Sequence, residues 1–145
     1  MKKNIIPNKD PKTIILSSKL LTVKTDLKHQ LILPTQFVKL PPICEELVRQ
    51  SITCFDSYGH QWIFPLALRK GRHPKPTIPP APWRKFVKEY GLRGGDAVVF
   101  YTRVDDPKNR IHIRGMRKSL LPFKHDEDWV EVRKEAHKPA RIGSP

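Results

Sequence analysis

Apolar residues recur at Trp83, Phe86, Val87 and Tyr90. That i, i+3, i+4, i+7 spacing puts four side chains on one face of a helix, with Arg84, Lys85, Lys88 and Glu89 on the other. Pro82 suits the first helical position, where its missing N–H costs nothing. Gly91 stands where a left-handed cap ends the helix. Gly94-Gly95-Asp96 then turns the chain. Residues 97–101 are apolar on both strand faces, which predicts a central strand buried on both sides.

Elsewhere the pattern is that of strands. "TIILSSKLL" (13–21) predicts a first strand and "HQLILP" (29–34) a second. Pro34 opens a short helix over 34–40, with Phe37 and Leu40 on one side. "SITCFDSYGHQWIFPLAL" (51–68) predicts a hairpin turning through Asp56-Ser57-Tyr58-Gly59. Its second arm alternates Trp62, Phe64, Leu66 and Leu68 on one face. "RKGRHPKPTIPPAP" (69–82) holds too much proline and charge for a central strand. "RIHIRGMRK" (110–118) sets Ile111 and Ile113 against His112 and Arg114. Residues 1–12 are expected to form a flexible arm and 119–145 a charged, flexible tail around a structured domain of residues 13–118. About seven strands and two short helices in this order predict a mainly β, partly closed barrel with helices at its ends.

Charge narrows the partner. The 145 residues include 28 Lys and Arg against 14 Asp and Glu, a formal net charge of +14, with an isoelectric point near 10.1. That imbalance favours a polyanion, nucleic acid before an acidic membrane. No apolar run approaches the roughly 18 residues of a membrane span, and "MKKNIIPNKDPK" has no signal-peptide apolar core. An intracellular protein with no membrane partner is expected. Cys44 and Cys54 form no CxxC and have no paired His, and the six His are scattered. No metal or other cofactor is expected, and both thiols read as small core residues.

Several segments together resemble the plant B3 DNA-binding domain. "WRKFVKEYGLRGGDAVVFY" (83–101) is similar to that family's Trp-led helix, Gly-Leu, Gly-Asp and apolar strand ending in Phe. "LILPTQFV" resembles its Leu-Val-Leu-Pro and short helix, "GHQWIFPL" its Gly-x-x-Trp-x-Phe hairpin, and "KTDL" at 24–27 its Ser/Thr-Asp-hydrophobic loop element. The resemblance covers residues 13–118. It implies a seven-stranded open pseudo-barrel, closed at its ends by two short helices, in a nuclear transcription regulator. It also implies that two loops straddle the major groove of double-stranded DNA, here 19–30 and 68–75. The chain departs from the family in three places. Gln30 stands where an Arg often begins the second strand, Arg-Lys-Gly-Arg-His replaces a Trp-Asn-Ser-like second loop, and "TIPPAP" replaces Tyr-x-Leu-Thr-x-Gly. All three lie in or near the reading surfaces, so they bear on sequence preference rather than on fold.

The loop residues supply suitable chemistry. Arg69 and Arg72 can fork onto guanine edges or phosphates, Lys70 and Lys75 suit phosphates, and His73 can donate or accept. The first loop offers Lys24, Thr25, Lys28, His29 and Gln30, of which Gln30 can bond an adenine edge twice. Asp26 is expected to cap a turn or orient a neighbour. Arg84 and Lys85 either reach the DNA backbone or form an exposed helix face. The helix–turn–strand unit of 83–101 is expected to be a scaffold that sets where the preceding basic loop projects.

Two other readings compete with sequence-specific binding: a weakly specific binder that grips phosphates, and a protein-interaction module that does not read sequence. In the second, "DEDWVEV" with an exposed Trp129 docks a protein partner through the C-terminal tail. An enzyme is not expected. Nuclease chemistry needs carboxylates clustered around metal, and Asp105-Asp106 before Pro107 reads as turn chemistry.

Overall fold

The structure is a computed structural model that describes residues 6, 8, 10–34, 50–68, 75–119 and 129–134. Its strands are β1 (Thr13–Leu20), β2 (Leu31–Ile32), β3 (Gln50–Phe55), β4 (Gln61–Leu68), β5 (Pro76–Ile78), β6 (Ala97–Arg103), β7 (Ile111–Lys118) and β8 (Trp129–Glu131). One helix, α1 (Pro80–Tyr90), lies between β5 and β6. Seven strands follow one path, β1-β6-β7-β3-β4-β5-β2, and β8 pairs with β7 beside it. All pairings are antiparallel except that of β3 with β7. This is the expected mainly β, open pseudo-barrel. Its seam lies between β1 and β2, the two ends of the path. The helix expected over 34–40 falls outside the described residues, apart from Pro34.

The main core fills the concave side. Its strand contributions alternate as the sequence predicts: Trp62, Phe64 and Leu66 from β4, Ile52 and Cys54 from β3, Val98 and Phe100 from β6, and Ile113 from β7. Into this face α1 inserts Trp83, Phe86 and Tyr90. Phe86 stacks on Trp83 and Tyr90 at 5.6 and 4.6 Å between ring centroids and meets Trp62 edge-on at 5.0 Å. Such pairs each add about 0.5–1.5 kcal/mol beyond the burial of their area. Burial pushes the Cys54 thiol up to about 12, as suits an inert core residue.

The helix begins earlier than its apolar pattern implies. Pro80, not Pro82, holds the first helical position, and Pro79 precedes it as the cap. Trp83 N–H donates to the Pro79 carbonyl, the first bond of the helix. Gly91 ends it in the expected left-handed conformation, at φ 62°. A strand also forms where proline argued against one. Pro76 lacks an N–H, but as the first residue of β5 it pairs through its carbonyl, which accepts from Leu33 N–H at 2.8 Å.

β6 is buried on both faces, so the sheet needs a second cover. Ala97, Val99, Tyr101 and Met116 face away from the main core and form a smaller cluster with Ile6, against which Ile15 and Trp129 also pack. The cover thus includes Ile6 from the expected arm and Trp129 from the expected tail. The tail segment also completes an edge. β3 pairs with β7 at Ile111 and His112, and β8 pairs with Met116, Arg117 and Lys118. Lys134, three residues past β8, is buried, with its ammonium 2.9 Å from Asp56 Oδ2. It lies 5.3, 5.9 and 5.8 Å from the ring centres of Tyr58, Trp62 and Tyr90. Asp56 also accepts from Trp62 Nε1 and from the N–H groups of Tyr58 and His60. Burial alone raises its carboxyl, but these donors and Lys134 outweigh burial and bring it down to about 2.

Removing one partner of a buried ion pair strands the other. Lys134→Ala is therefore expected to destabilise the domain by about 3–5 kcal/mol in chemical denaturation, and an effect below about 1 kcal/mol would mean that the segment is not part of the fold. Asp56 binds a proton less readily folded than unfolded, so its contribution is complete above about pH 4. Denaturation midpoints followed downward in pH are expected to fall between about pH 4 and 2 in the parent and to fall less steeply there in Asp56→Asn, where Asp26 and Asp106 still contribute.

Candidate nucleic-acid interface

The first loop joins β1 to β2 and is organised by a buried acid. Asp26 is 4% exposed. One of its oxygens, Oδ2, accepts from the Thr22 N–H at 2.9 Å and the Thr22 hydroxyl at 3.1 Å. The other, Oδ1, lies 2.9 Å from the Lys19 ammonium. Burial pulls its carboxyl upward, but Lys19 and Thr22 outweigh burial and hold it below its ordinary range. Asp26 therefore caps the loop, as its position implied. Leu27 N–H to the Thr22 carbonyl and His29 N–H to the Thr25 carbonyl complete two tight turns. With the acid turned inward, Lys24, Thr25, Lys28 and His29 are exposed and Gln30 is half-buried. The Thr25 hydroxyl is already engaged with that of Thr22, at 2.5 Å.

The helix–turn–strand unit holds this first loop. Trp83, fully buried, donates its indole N–H to the main-chain carbonyl of Asp26. Leu21 N–H donates to the Asp96 carbonyl at 2.8 Å, and Gly95 N–H donates to the Leu21 carbonyl at 3.0 Å. Val23 packs on Gly94 so closely that a Cβ there would lie 2.4 Å from Val23 Cγ2. Asp96 fixes the turn itself, accepting from Arg93 N–H at 2.8 Å and from Arg117 at 2.8 and 3.0 Å. The expected scaffold exists and anchors the first loop; the basic loop before the helix falls outside the described residues, apart from its ends.

Of the second loop, Arg69, Lys70, Arg72 and His73 fall outside the described residues. Lys75 is described and exposed, immediately before β5. It lines an open depression along the barrel seam with Lys19, Ser17 and Ser18 of β1 and with Ile32, Leu33 and Pro34. The loop ends lie at opposite ends of the β2–β5 pair. Leu31 faces Ile78, Ile32 faces Thr77, and Leu33 N–H reaches the Pro76 carbonyl. Gln30 and Lys75 are thus about 13 Å apart along the pair, four residues at roughly 3.3 Å each. Arg84, Lys85 and Lys88 of α1 line a shallow groove with Leu27, so this basic helix face adjoins the first loop.

Three features of the site were not among the sequence candidates: Lys19 as the partner of Asp26, the Val23–Gly94 contact and the Trp83–Asp26 bond. The doublet Gly94-Gly95 signals a turn, but nothing local signals what approaches it. Asp105 and Asp106, the acid pair before Pro107, are both occupied. Asp105 is bonded to Arg103. Asp106 accepts from Lys108 N–H and is paired with Arg110, whose guanidinium holds the carboxyl well below its usual range.

The profile of the B3 DNA binding domain matches residues 17–119. Among solved structures, the chain is similar to an Arabidopsis FUS3–DNA complex, with 25% identity and a TM-score of 0.54 over 73% of this chain and 99% of that one. It is also similar to an Arabidopsis thaliana transcription factor LEC2–DNA complex, with 19% identity and a TM-score of 0.54 over 73% of this chain and 96% of that one. No curated protein sequence matches.

Trp83→Phe keeps an aromatic ring, though a smaller one, but leaves the Asp26 carbonyl without its indole donor. It is expected to cost about 1–3 kcal/mol and to speed amide exchange at Leu27 and His29. Trp83→Ala should cost about 3–5 kcal/mol. Gly94→Ala should disturb the Val23 and Thr22 resonances more than any in β3 or β4. Unchanged exchange in both Trp83→Phe and Gly94→Ala would show that the loop is held by other means.

Proposed function

We propose a function from one premise: this chain belongs to the B3 DNA binding domain family. It binds double-stranded DNA sequence-specifically as a transcription regulator, acts in the nucleus and catalyses no reaction. Its two loops grip the major groove from either side of the β2–β5 pair. The observation that supports this best is the first loop itself. Its acid is buried against Lys19, its backbone is tied to the core through Trp83, and Lys24, Thr25, Lys28, His29 and Gln30 are left at the surface. A reading loop needs such preorganisation, because a base-edge bond formed by a loose side chain is offset by the cost of ordering it.

The spacing and charge agree with this reading. A separation of about 13 Å between the loop ends compares with a major groove about 12 Å wide. Lys24, Lys28, Lys70 and Lys75 are assigned to phosphates, with Arg84 and Lys85 of α1 flanking the first loop. Arg69, Arg72 and Gln30 are assigned to base edges, and Thr25 and His73 to supporting polar contacts. A protein partner at the C-terminal segment would meet Val130 and Arg133 rather than the Trp129 ring, which packs on the chain's own sheet.

Binding is expected to weaken steeply with salt, with a log–log slope of up to about −5 for roughly six neutralised phosphates. Lys70→Ala with Lys75→Ala should weaken all duplexes alike and flatten that slope by about 2. Arg69→Ala, Arg72→Ala or Gln30→Ala should instead cost about 1–3 kcal/mol on the preferred site and less on scrambled duplex. Fluorescence anisotropy against a selected and a scrambled duplex separates the two classes. Equal losses on both duplexes would leave only a phosphate grip, and no loss in any variant would exclude these loops as the interface.

A further inference from the structure

The two loops stand at opposite ends of the β2–β5 pair, so that pair forms the floor between them. Leu31, Leu33, Pro76, Thr77 and Ile78 of this floor are all buried. Among its described residues only Ile32, 41% exposed, meets solvent. Alternation explains the difference: Leu31 and Leu33 turn into the barrel core, and Ile32 between them turns out. Thr77 faces Ile32 across the pair, and its hydroxyl is engaged by the Ala67 carbonyl at 3.3 Å. Ile32 lies two residues from Gln30, and Thr77 lies two residues from Lys75. Ile32 therefore stands midway, about 7 Å along the pair from each loop end. It lines the seam depression together with Lys19, Lys75, Ser17 and Ser18. Leu20 and Val23 are also exposed, but both stand at the entry to the first loop, to one side of this floor.

A lone exposed apolar side chain is ordinary on a protein surface. Its setting here is not ordinary, because lysines and serines surround it and the occupant of the floor is a polyanion. Phosphates gain nothing from an isoleucine, and neither do the donors and acceptors of a base edge. The major groove offers one apolar group, the C5-methyl of thymine. We propose that Ile32 is a specificity-determining residue that packs on a pyrimidine C5-methyl group, that of a thymine in the preferred site. This inference rests on the reading of the two loops as the DNA grip, and adds to it a contact from the floor between them. Ile32 is well suited to the task, since its neighbours Leu31 and Leu33 are fixed in the core and little freedom is left to lose on binding. The same methyl group occurs in 5-methylcytosine. Cytosine methylation at that position is therefore expected to strengthen binding rather than block it.

Uracil pairs as thymine does and lacks only the methyl, so replacing each thymine of a selected duplex in turn isolates this contact. Fluorescence anisotropy is expected to show at least one position where the replacement weakens binding about three- to fivefold, the worth of burying one methyl group. At that position 5-methylcytosine opposite guanine should bind more tightly than cytosine opposite guanine, by a similar factor. Ile32→Ala should bind the thymine and uracil duplexes equally there. Its affinity for scrambled duplex and its salt slope should match those of the parent, and retained cooperative melting will show that it is folded. A protein that selects a site but is indifferent to every thymine methyl in it overturns this inference alone. So does a folded Ile32→Ala variant that still separates thymine from uracil at every such position. A protein that binds no duplex, or all duplexes alike, fails earlier, at the grip itself, and this inference falls with it.

Discussion

The indole N–H of Trp83 is buried in an aromatic core and must find an acceptor there. The acceptor is the main-chain carbonyl of Asp26, in the middle of the loop between β1 and β2. Much of the interface follows from this bond. It fixes one side of the 22–29 turn, while the Asp26 side chain gathers Thr22 and Lys19 on the other. Gly95 and Asp96 clamp the entrance through Leu21. A helix whose apolar face exists to fill the barrel therefore also sets the shape of a surface loop. Packing errors around Trp83 and Phe86 would reach the surface as loop errors.

A strand that is apolar on both faces imposes a second requirement. β6 presents Val98 and Phe100 to the main core and Ala97, Val99 and Tyr101 to the other side. Solvent on that second face would expose a large apolar patch. The chain covers it partly with Ile6 and Trp129, from beyond the two ends of the predicted domain. The Lys134–Asp56 pair locks the C-terminal part of that cover. Three aromatic rings around the ammonium and a carboxylate rich in donors offset the cost of burying both charges. This arrangement places structural residues past position 119, where the family match ends.

Rigid frame and charged loops divide the labour of binding. The frame is neutralised internally: Asp26, Asp56, Asp96 and Asp106 all face cations. Acids withdrawn into such pairs leave the surplus of Lys and Arg to shape the outer field. Long-range attraction to a polyanion follows from that surplus alone, whereas choice among base pairs needs side chains held in place. The first loop meets that requirement through its buried cap.

Period and composition made much of this molecule legible in advance. The 3.6-residue repeat of Trp83, Phe86 and Tyr90 named the helix face, the alternation of Trp62, Phe64 and Leu66 named a strand face, and the unbroken apolar run at 97–101 named the strand buried twice. These signals are local, and burial enforces them wherever the elements end up. Asp26 was legible as a cap for the same reason, since its donors lie within seven residues. Charge made a polyanion the leading partner without any geometry. Only the tertiary structure could decide the rest, because it depends on contacts between residues far apart in the chain. The acceptor of Trp83 lies 57 residues away, and Val23 meets Gly94 across a similar gap. Ile6 and Trp129 become cover only once β6 has turned a second apolar face outward. Lys134 looks like one more solvated charge until the fold brings Asp56 and three aromatic rings around it.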